Sequence, residues 1–358
     1  MKTVYFATFE MKNSGLLEEF TMYLIDISRN GQPSYDARVN QSLDNYFVND
    51  LKLPGHGFMF YINKPSVIIG RNQNAWAEVD IDYLHEHKIE LVRRTSGGGA
   101  VYHDMGNFIF ENILTDNADD FGDYAHFAEP VLKALRKLGL DVQMKENSSD
   151  LILNGKKWSG MTMFKSGQGL AAGGTIMYDL NIENAKRSLT ENQLEKQKRL
   201  GVLSKRSEIV NLKDYLPDGM TMADLREYLL KEIFQVKSLD DIETYHMTDE
   251  DWQRADKRLE ETYGTDAWNF GHNPGYYDYA DKELSAGKLG INWTIDDGKV
   301  EHLKLNPFFK LDGDVDAIEA YLTGKKISER VVKKAVKKGH FANINPDELA
   351  DFLIEKLD

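Results

Sequence analysis

Val92-Arg-Arg-Thr-Ser-Gly-Gly-Gly-Ala-Val-Tyr-His-Asp-Met-Gly-Asn107 is the stretch on which the fold turns. Ile89-Glu-Leu-Val92 before it reads as a short strand that delivers two arginines. Ala100-Val-Tyr-His103 and Asn107-Phe-Ile-Phe-Glu-Asn-Ile113 after it are rich in β-branched and aromatic residues and read as strands again. Between them, three consecutive glycines carry a large entropic cost on folding. Close approach of backbone N–H groups to a ligand offsets such a cost. Successive amides in such a turn form a concave anion site, and flanking arginines add charge and forked donors. Residues 93–104 therefore read as a phosphate- or carboxylate-binding loop on a sheet. The residues alone also allow a long hairpin turn with two solvated arginines. The loop lacks the Gly-Lys-Ser/Thr of a P-loop and the GxGxxG that opens a dinucleotide-binding helix.

The second informative stretch is Asp150-Leu-Ile-Leu-Asn-Gly-Lys-Lys-Trp-Ser-Gly160. Asn154-Gly155 between two strand-like runs is a strong hairpin signal, because both turn residues need positive φ. Alternation along the second strand puts Lys157 and Ser159 on one face, Lys156 and Trp158 on the other. One lysine can then enter a site while its neighbour meets solvent. Two solvated edge lysines that discourage sheet aggregation are the competing reading.

Working outward, 1–20 has no strong pattern and reads as an N-terminal extension. Thr21–Asp26 reads as a strand. Val39, Leu43, Tyr46, Phe47 and Leu51 recur at helical spacing behind Asp36 as N-cap. Gly57–Ile62 and Ser66–Ile69 are apolar strands around a turn at Asn63-Lys-Pro65. Helices are expected over 79–86, 123–138, 221–234 and 249–263. Past a boundary near 275–283, Lys288–Ile295 and Lys299–Leu305 read as a hairpin, with helices at 315–322, 328–338 and 345–357. The expected division is 1–278, with 1–20 as extension, and 284–358.

The chain has 358 residues and a net charge of −14, which argues against a nucleic-acid binder. It has no cysteine, so disulfides, cysteine–zinc sites and thiol nucleophiles are excluded. No long apolar segment suggests a leader or a membrane span. A cytoplasmic protein with no membrane partner is the expectation.

Arg93-Arg94-Thr-Ser-Gly-Gly-Gly-Ala-Val-Tyr-His103-Asp104, with Gly106-Asn107 behind it, resembles the signature loop of the bacterial lipoate–protein ligases. Gly70-Arg71-Asn72-Gln73-Asn74 resembles the family segment beside the acyl pocket. Gly155-Lys-Lys157-Trp-Ser159-Gly160 resembles its Gly-x-Lys-x-Ser-Gly motif. Residues 201–212 resemble a further segment at the rim, which on its own reads as a basic loop before a strand, and Trp268–Pro274 resembles the close of the large domain. The resemblance covers about residues 21–358 and implies an α+β fold. A large mixed-sheet catalytic domain of the biotin/lipoate ligase type would precede a small α+β accessory domain.

It also implies the reaction: lipoate and ATP give lipoyl-AMP and pyrophosphate, and a lysine of an acceptor protein then takes the lipoyl group. The acceptor would be a lipoyl domain of a 2-oxoacid dehydrogenase or a glycine-cleavage H-type protein, and the ligase a monomer. Carried over residue by residue, Lys157 is the catalytic residue that bridges the acyl carbonyl and the α-phosphate. Arg94, Gly99, Ala100, Val101, Tyr102 and Lys157 would hold ATP. Arg71, Ser96, Gly97, Gly98, His103 and Lys157 would hold lipoate. Asp150 is the candidate contact for Mg2+, which accompanies the triphosphate. His103 and Asp104 read equally as strand-end groups that fix the loop.

Four positions depart from the family. Phe164 stands where a polar residue is usual. Gly173 takes the place of the histidine in a His-Gly-Thr triplet. Ser148-Ser149-Asp150 replaces Arg-Asn-Asp. Altered acid or acceptor preference, rather than lost activation, is therefore expected, with both lipoate and octanoate activated. The rival functions are an ATP-independent lipoyl or octanoyl transferase, a non-catalytic binder of an acyl adenylate or lipoylated protein, and, matching least, a biotin ligase. A cluster of lysines at 325, 326, 333, 334, 337 and 338 reads either as a solvated helix face or as a dock for an acidic carrier.

Overall fold

The computed structural model describes residues 22–357 except 52, 54, 194, 195, 197–199 and 310. The expected extension at 1–20 lies outside the described residues. In chain order the strands are β1 (Met22–Asp26), β2 (His56–Tyr61), β3 (Ser66–Ile69), β4 (Glu90–Arg93), β5 (Val101–His103), β6 (Asn107–Leu114) and β7 (Val142–Met144). They continue with β8 (Asp150–Leu153), β9 (Lys156–Ser166), β10 (Gly169–Met177), β11 (Thr244–His246), β12 (Asp278–Leu284), β13 (Gly287–Asp296) and β14 (Lys299–Pro307). The helices are α1 (Ala37–Asn49), α2 (Ala75–Glu78), α3 (Ile81–Glu86), α4 (Tyr124–Lys137), α5 (Ile182–Ser188), α6 (Met222–Phe234) and α7 (Asp249–Arg258). Helices α8 (Val315–Leu322), α9 (Glu329–Lys338) and α10 (Pro346–Leu357) follow. The fold is α+β, as read from the sequence.

Eight strands form one mixed sheet in the order β11-β1-β2-β6-β10-β9-β8-β7, parallel at β11-β1-β2 and antiparallel beyond. One face packs Phe58, Phe108, Phe110 and Trp158 under α4 and α6. The other packs Met59, Tyr61, Ile109 and Ile113 against Leu43, Tyr46 and Phe47 of α1. Strand β6 thus reads as two apolar faces, as a strand buried on both sides must. A separate sheet, β4-β3-β5, presents Val67, Ile69 and Leu91 to a core with Trp76, Tyr83 and Phe270. The glycine stretch joins β4 to β5, so it leaves this small sheet and overhangs the large one.

Local chemistry sets the element ends. Asp36 caps α1, accepting from the Arg38 and Val39 amides at 2.9 and 3.4 Å. Thr221 and Thr248 open α6 and α7 with reciprocal capping boxes. Asn154 and Gly155 both have positive φ, +51° and +78°, and turn β8 into β9. The helix expected over 79–86 begins at Ile81, with a short separate helix, α2, before it. Val79 is extended, and Asp80 caps α3 by accepting from the Tyr83 amide at 2.9 Å. The helix expected over 249–263 changes at Leu259 to a π-helical segment, Leu259–Tyr263.

The C-terminal unit has its own core, in which Ile291, Leu303 and Leu305 of the sheet meet Ile318, Val332 and Phe352 of α8–α10. The hairpin expected there is a three-stranded meander. Strand β12, Asp278-Tyr-Ala-Asp-Lys-Glu-Leu284, pairs along β13 and escapes an alternation argument because it is a charged edge strand.

Arg93 ties these parts together. Fully buried at the end of β4, its guanidinium donates to the carbonyls of Gly70, Arg71, Gln73, Trp268 and Asn269 and to Asn273 Oδ1, at 2.7–3.4 Å. Burial, and then Arg94 beside it, push its pKa down to about 9, which leaves it cationic at neutral pH. Arg93→Met strands several buried acceptors, each worth ~1–3 kcal/mol. A loss of more than ~3 kcal/mol is expected in the unfolding free energy from a urea titration followed by circular dichroism. Arg93→Lys should recover only part, because an ammonium cannot span the fork.

Candidate functional site

Between the overhanging glycine stretch and the α1-bearing face of the large sheet lies a cavity of about 340 Å³. Its roof is the loop, its floor β6, β9 and β10, and its inner wall Gln41, Asp44 and Tyr61.

The roof is built on Arg94. Its guanidinium donates to the carbonyls of Gly97 (2.6 Å), Gly99 (2.8 Å) and Ile68 (3.1 Å) and to Ser96 Oγ (3.1 Å). Among the described residues neither Arg93 nor Arg94 pairs with a carboxylate within 4 Å. The arginines the sequence offered as ligand-facing cations are therefore first of all braces for backbone carbonyls. Gly98 sits at φ +93°, a conformation open to glycine. With the carbonyls of Gly97 and Gly99 engaged, no protein acceptor meets the amides of Gly97, Gly98 or Gly99 among the described residues. The Ala100 amide donates to Ser204 Oγ at 2.9 Å. Ser204 is itself held: its hydroxyl accepts from Gln73 Nε2 (3.0 Å), and its amide donates to the buried Glu78 (3.0 Å).

Opposite the loop, Lys157 Nζ meets Asp150 Oδ1 at 2.6 Å, both side chains about four-fifths buried. Its main chain is fixed by the 208–210 segment: its N–H donates to Glu208 O at 2.8 Å and its C=O accepts from the Val210 amide at 2.9 Å. Lys156 leaves the cavity and pairs with the exposed Glu208 at 2.6 Å. The expected split between the two lysines is found, but not the expected partner. The β8–β9 register shifts between Leu151 and Ile152, which breaks simple alternation. Lys157 consequently lies over Gly160 rather than beside Ser159; a Cβ on Gly160 would fall 2.6 Å from its Nζ.

Of the residues singled out in the sequence, Arg94, Ser96, Gly98, Gly99, Ala100, Val101, His103, Asp150 and Lys157 line the cavity. Gly97 lies just outside, its carbonyl taken by Arg94 and by Thr162 Oγ1 at 3.2 Å. Tyr102 points into the small-sheet core. Arg71 stacks over Trp268, 5.8 Å from the ring centre. His103 is buried with Asn63 Nδ2 against its Nδ1 at 3.0 Å. Burial, and then Arg94, push its pKa down to about 3, so the ring is neutral. Asp150 faces Lys157, and among the described residues no group of three or more His, Asp or Glu is placed to hold a metal ion.

The sequence reading missed Gln41, Asp44, Tyr61 and Glu111, all on the cavity wall. The signal for Glu111 was present: a carboxylate in mid-strand of Phe108-Ile-Phe-Glu-Asn-Ile113, where both faces are apolar.

A sequence model of the lipoyl protein ligase A/B catalytic domain matches residues 36–234, and one of the bacterial lipoate protein ligase C-terminus matches 273–353. This chain belongs to the lipoyl protein ligase A/B family. It is similar to the lipoate-protein ligase LplJ of Bacillus subtilis (strain 168), 33% identical over 322 residues, 89% of this chain and 97% of the relative. Among solved structures it is similar to a bipartite lipoate protein ligase of Thermoplasma acidophilum, described with its E2 lipoyl domain. That match has a TM-score of 0.58 at 23% identity, over 71% of this chain and 97% of the other. A lipoate-protein ligase A bound with ATP gives a TM-score of 0.56 at 23% identity, over 70% and 98%. At these identities the structural matches concern the fold alone.

The family loop carries a sharp test. A Cβ on Gly70 would sit 2.2 Å from the Gly98 carbonyl, backbone against braced backbone. Gly70→Ala should push the loop out of place and weaken ATP binding at least tenfold by calorimetry. The C-terminal core is remote from that contact, so its amide exchange should stay unchanged.

Proposed function

We propose that this chain is an ATP-dependent lipoate–protein ligase whose chemistry centres on Lys157. The observation that carries the reading is a lysine, tethered to Asp150, facing a loop whose glycine amides meet no protein acceptor among the described residues. A carboxylate and a triphosphate repel one another, so fixed donors must bring them together. In the first step a carboxylate oxygen of lipoate attacks the α-phosphorus. The bond to the bridging oxygen breaks and pyrophosphate leaves with the electron pair. In the second step the deprotonated amine of an acceptor lysine attacks the acyl carbon. The carbon–oxygen bond of the anhydride breaks, AMP leaves, and the nitrogen loses its extra proton.

The glycine amides and the backbone of Ala100 and Val101 are suited to phosphate oxygens, with Ser204 handing over the Ala100 amide. Val101 and Tyr102 belong to β5, an edge strand with backbone groups unpaired on one side. Ser96, Gly98 and His103 would border the acid, and Arg71 the mouth. Lys157 neutralises the phosphate as charge gathers there, then polarises the acyl carbonyl. Magnesium would enter with ATP as part of the substrate, drawing on Asp150 as Lys157 turns to the phosphate. The absence of cysteine removes the thiol on which a covalent acyl-transfer route would depend. The acceptor is a lipoyl-acceptor protein, and we take the enzyme to be a monomer divided near residues 275–283. No helix among the described residues is long and apolar enough to cross a membrane.

Two expectations test this. Lys157→Ala should lower ATP–pyrophosphate exchange ~10²–10³-fold, the usual loss for a donor aimed at developing charge. It should also slow transfer from supplied lipoyl-AMP, whereas Lys156→Ala leaves both steps nearly intact. The reverse ranking of the two lysines would defeat the assignment. In the parent enzyme the transfer step should accelerate with pH, since the acceptor amine has an ordinary pKa of ~10.4.

The other test concerns the acceptor. Lys333, Lys334, Lys337 and Lys338 are exposed on α9. Changing all four to glutamate should slow transfer to an acidic carrier, more at low than at high salt. Adenylate formation without carrier should not change.

A further inference from the structure

The inner wall of the cavity is not the apolar surface that a plain hydrocarbon chain would match. Glu111 comes from β6 and Asp44 from α1, and both are more than nine-tenths buried. Asp44 Oδ2 accepts from Gln41 Nε2 at 2.8 Å and from the Tyr61 hydroxyl at 3.2 Å, while its Oδ1 is buried without a partner. Glu111 lines the cavity, and among the described residues no protein group donates to it.

Space for Glu111 is provided by Gly173. The two are directly paired across β6 and β10, and a Cβ on Gly173 would lie 2.3 Å from Glu111 Oε2. A histidine at 173, the residue of the family pattern, would compete with Glu111 for the same room. The register fixes where this is. Glu111 pairs with Gly173, which pairs with Thr162, so Glu111 is two strands across from β9, ~10 Å at ordinary strand spacing. It is also offset from Lys157 along β9. Lys157 and Glu111 mark opposite ends of the cavity.

We propose that Glu111, with Asp44 beside it, makes the inner end a hydrogen-bonding subsite for a medium-chain carboxylic acid bearing a hydroxyl or thiol at its far end. This deepens the ligase reading, which supplies the carboxylate end at Lys157. Burial holds the Glu111 carboxyl far above its ordinary range, with the Asp44 charge acting the same way. A protonated carboxyl both donates and accepts, and so do a hydroxyl and a thiol. A bare alkyl terminus leaves Glu111 desolvated and unpaired.

The test is calorimetric binding of octanoate and 8-hydroxyoctanoate to the full chain, with ATP–pyrophosphate exchange measured separately on each acid. The parent should bind 8-hydroxyoctanoate about tenfold more tightly, the cost of one unmet buried polar group. Glu111→Gln should keep that order and Glu111→Leu should reverse it. Octanoate binding as well as or better than the hydroxy acid in the parent overturns the inference. So does an unchanged order in Glu111→Leu, or no binding of either acid. The two readings fail separately. The expected binding order without any exchange sinks the ligase and leaves the subsite. Exchange that runs equally on both acids sinks the subsite and leaves the ligase. The parent comparison needs no variant to fold.

Discussion

Two adjacent buried guanidinium groups, with no carboxylate within 4 Å of either among the described residues, decide the form of this molecule. Taking a cation out of water is expensive unless its donors are met. Here they are met by backbone carbonyls, five for Arg93 and three for Arg94. Those oxygens belong to the end of β3, the segment at 268–269 and the glycine stretch. The turn at 70–73 and the glycine stretch are irregular backbone, where carbonyls lack the partners that a helix or ladder supplies. Arginine solves that problem where lysine could not, because a planar fork reaches several oxygens at once. With the carbonyls of Gly97 and Gly99 engaged, the amides of Gly97, Gly98 and Gly99 meet no protein acceptor among the described residues. One set of hydrogen bonds thus shapes the loop.

The large sheet answers the loop with a second constraint. Strand β9 is bulged where it pairs with β8, and the bulge turns Lys157 over Gly160. Its backbone is stitched to Glu208 and Val210, and its amine to Asp150. A lysine held at both ends loses little further freedom when charge develops nearby, as the two-step donor proposed here would require. Ser204 belongs to the same arrangement: it joins the 201–212 segment to the loop through the Ala100 amide and to α2 through Glu78.

Much of this was legible before any coordinates. The glycine stretch announced a loop between strands, Asn154-Gly155 a tight hairpin, and Asp36 a helix start, because each rests on local chemistry. Lys157 was separable from Lys156 by alternation, although a bulge no local pattern marks changed its neighbour. The inward role of the arginines was hidden, since nothing in Arg93-Arg94 says whether a guanidinium meets a ligand or a distant carbonyl. Strands β7, β11 and β12 were missed because they are short or charged edges whose pairing is decided by sequence-distant partners. Gly169-Leu-Ala-Ala-Gly-Gly-Thr-Ile-Met177 is a poor strand by propensity. It is one because β6 and β9 flank it on both sides.

The inner wall shows most clearly why site and stability pull apart. Asp44 and Glu111 are a liability to the fold, since buried acids are often replaced by apolar residues at no cost or with a gain. The core around them, with Leu43, Met59, Ile109 and Ile113, could have closed over leucine or methionine. Gly173 adds a second cost, a glycine in the interior of a central strand. Taken singly, neither residue improves packing. Taken together they are complementary, because the missing side chain of one is the room occupied by the other. A pair of local penalties that interlock on a cavity surface, with one carboxyl left unmet by the protein, is explained by a ligand that completes it.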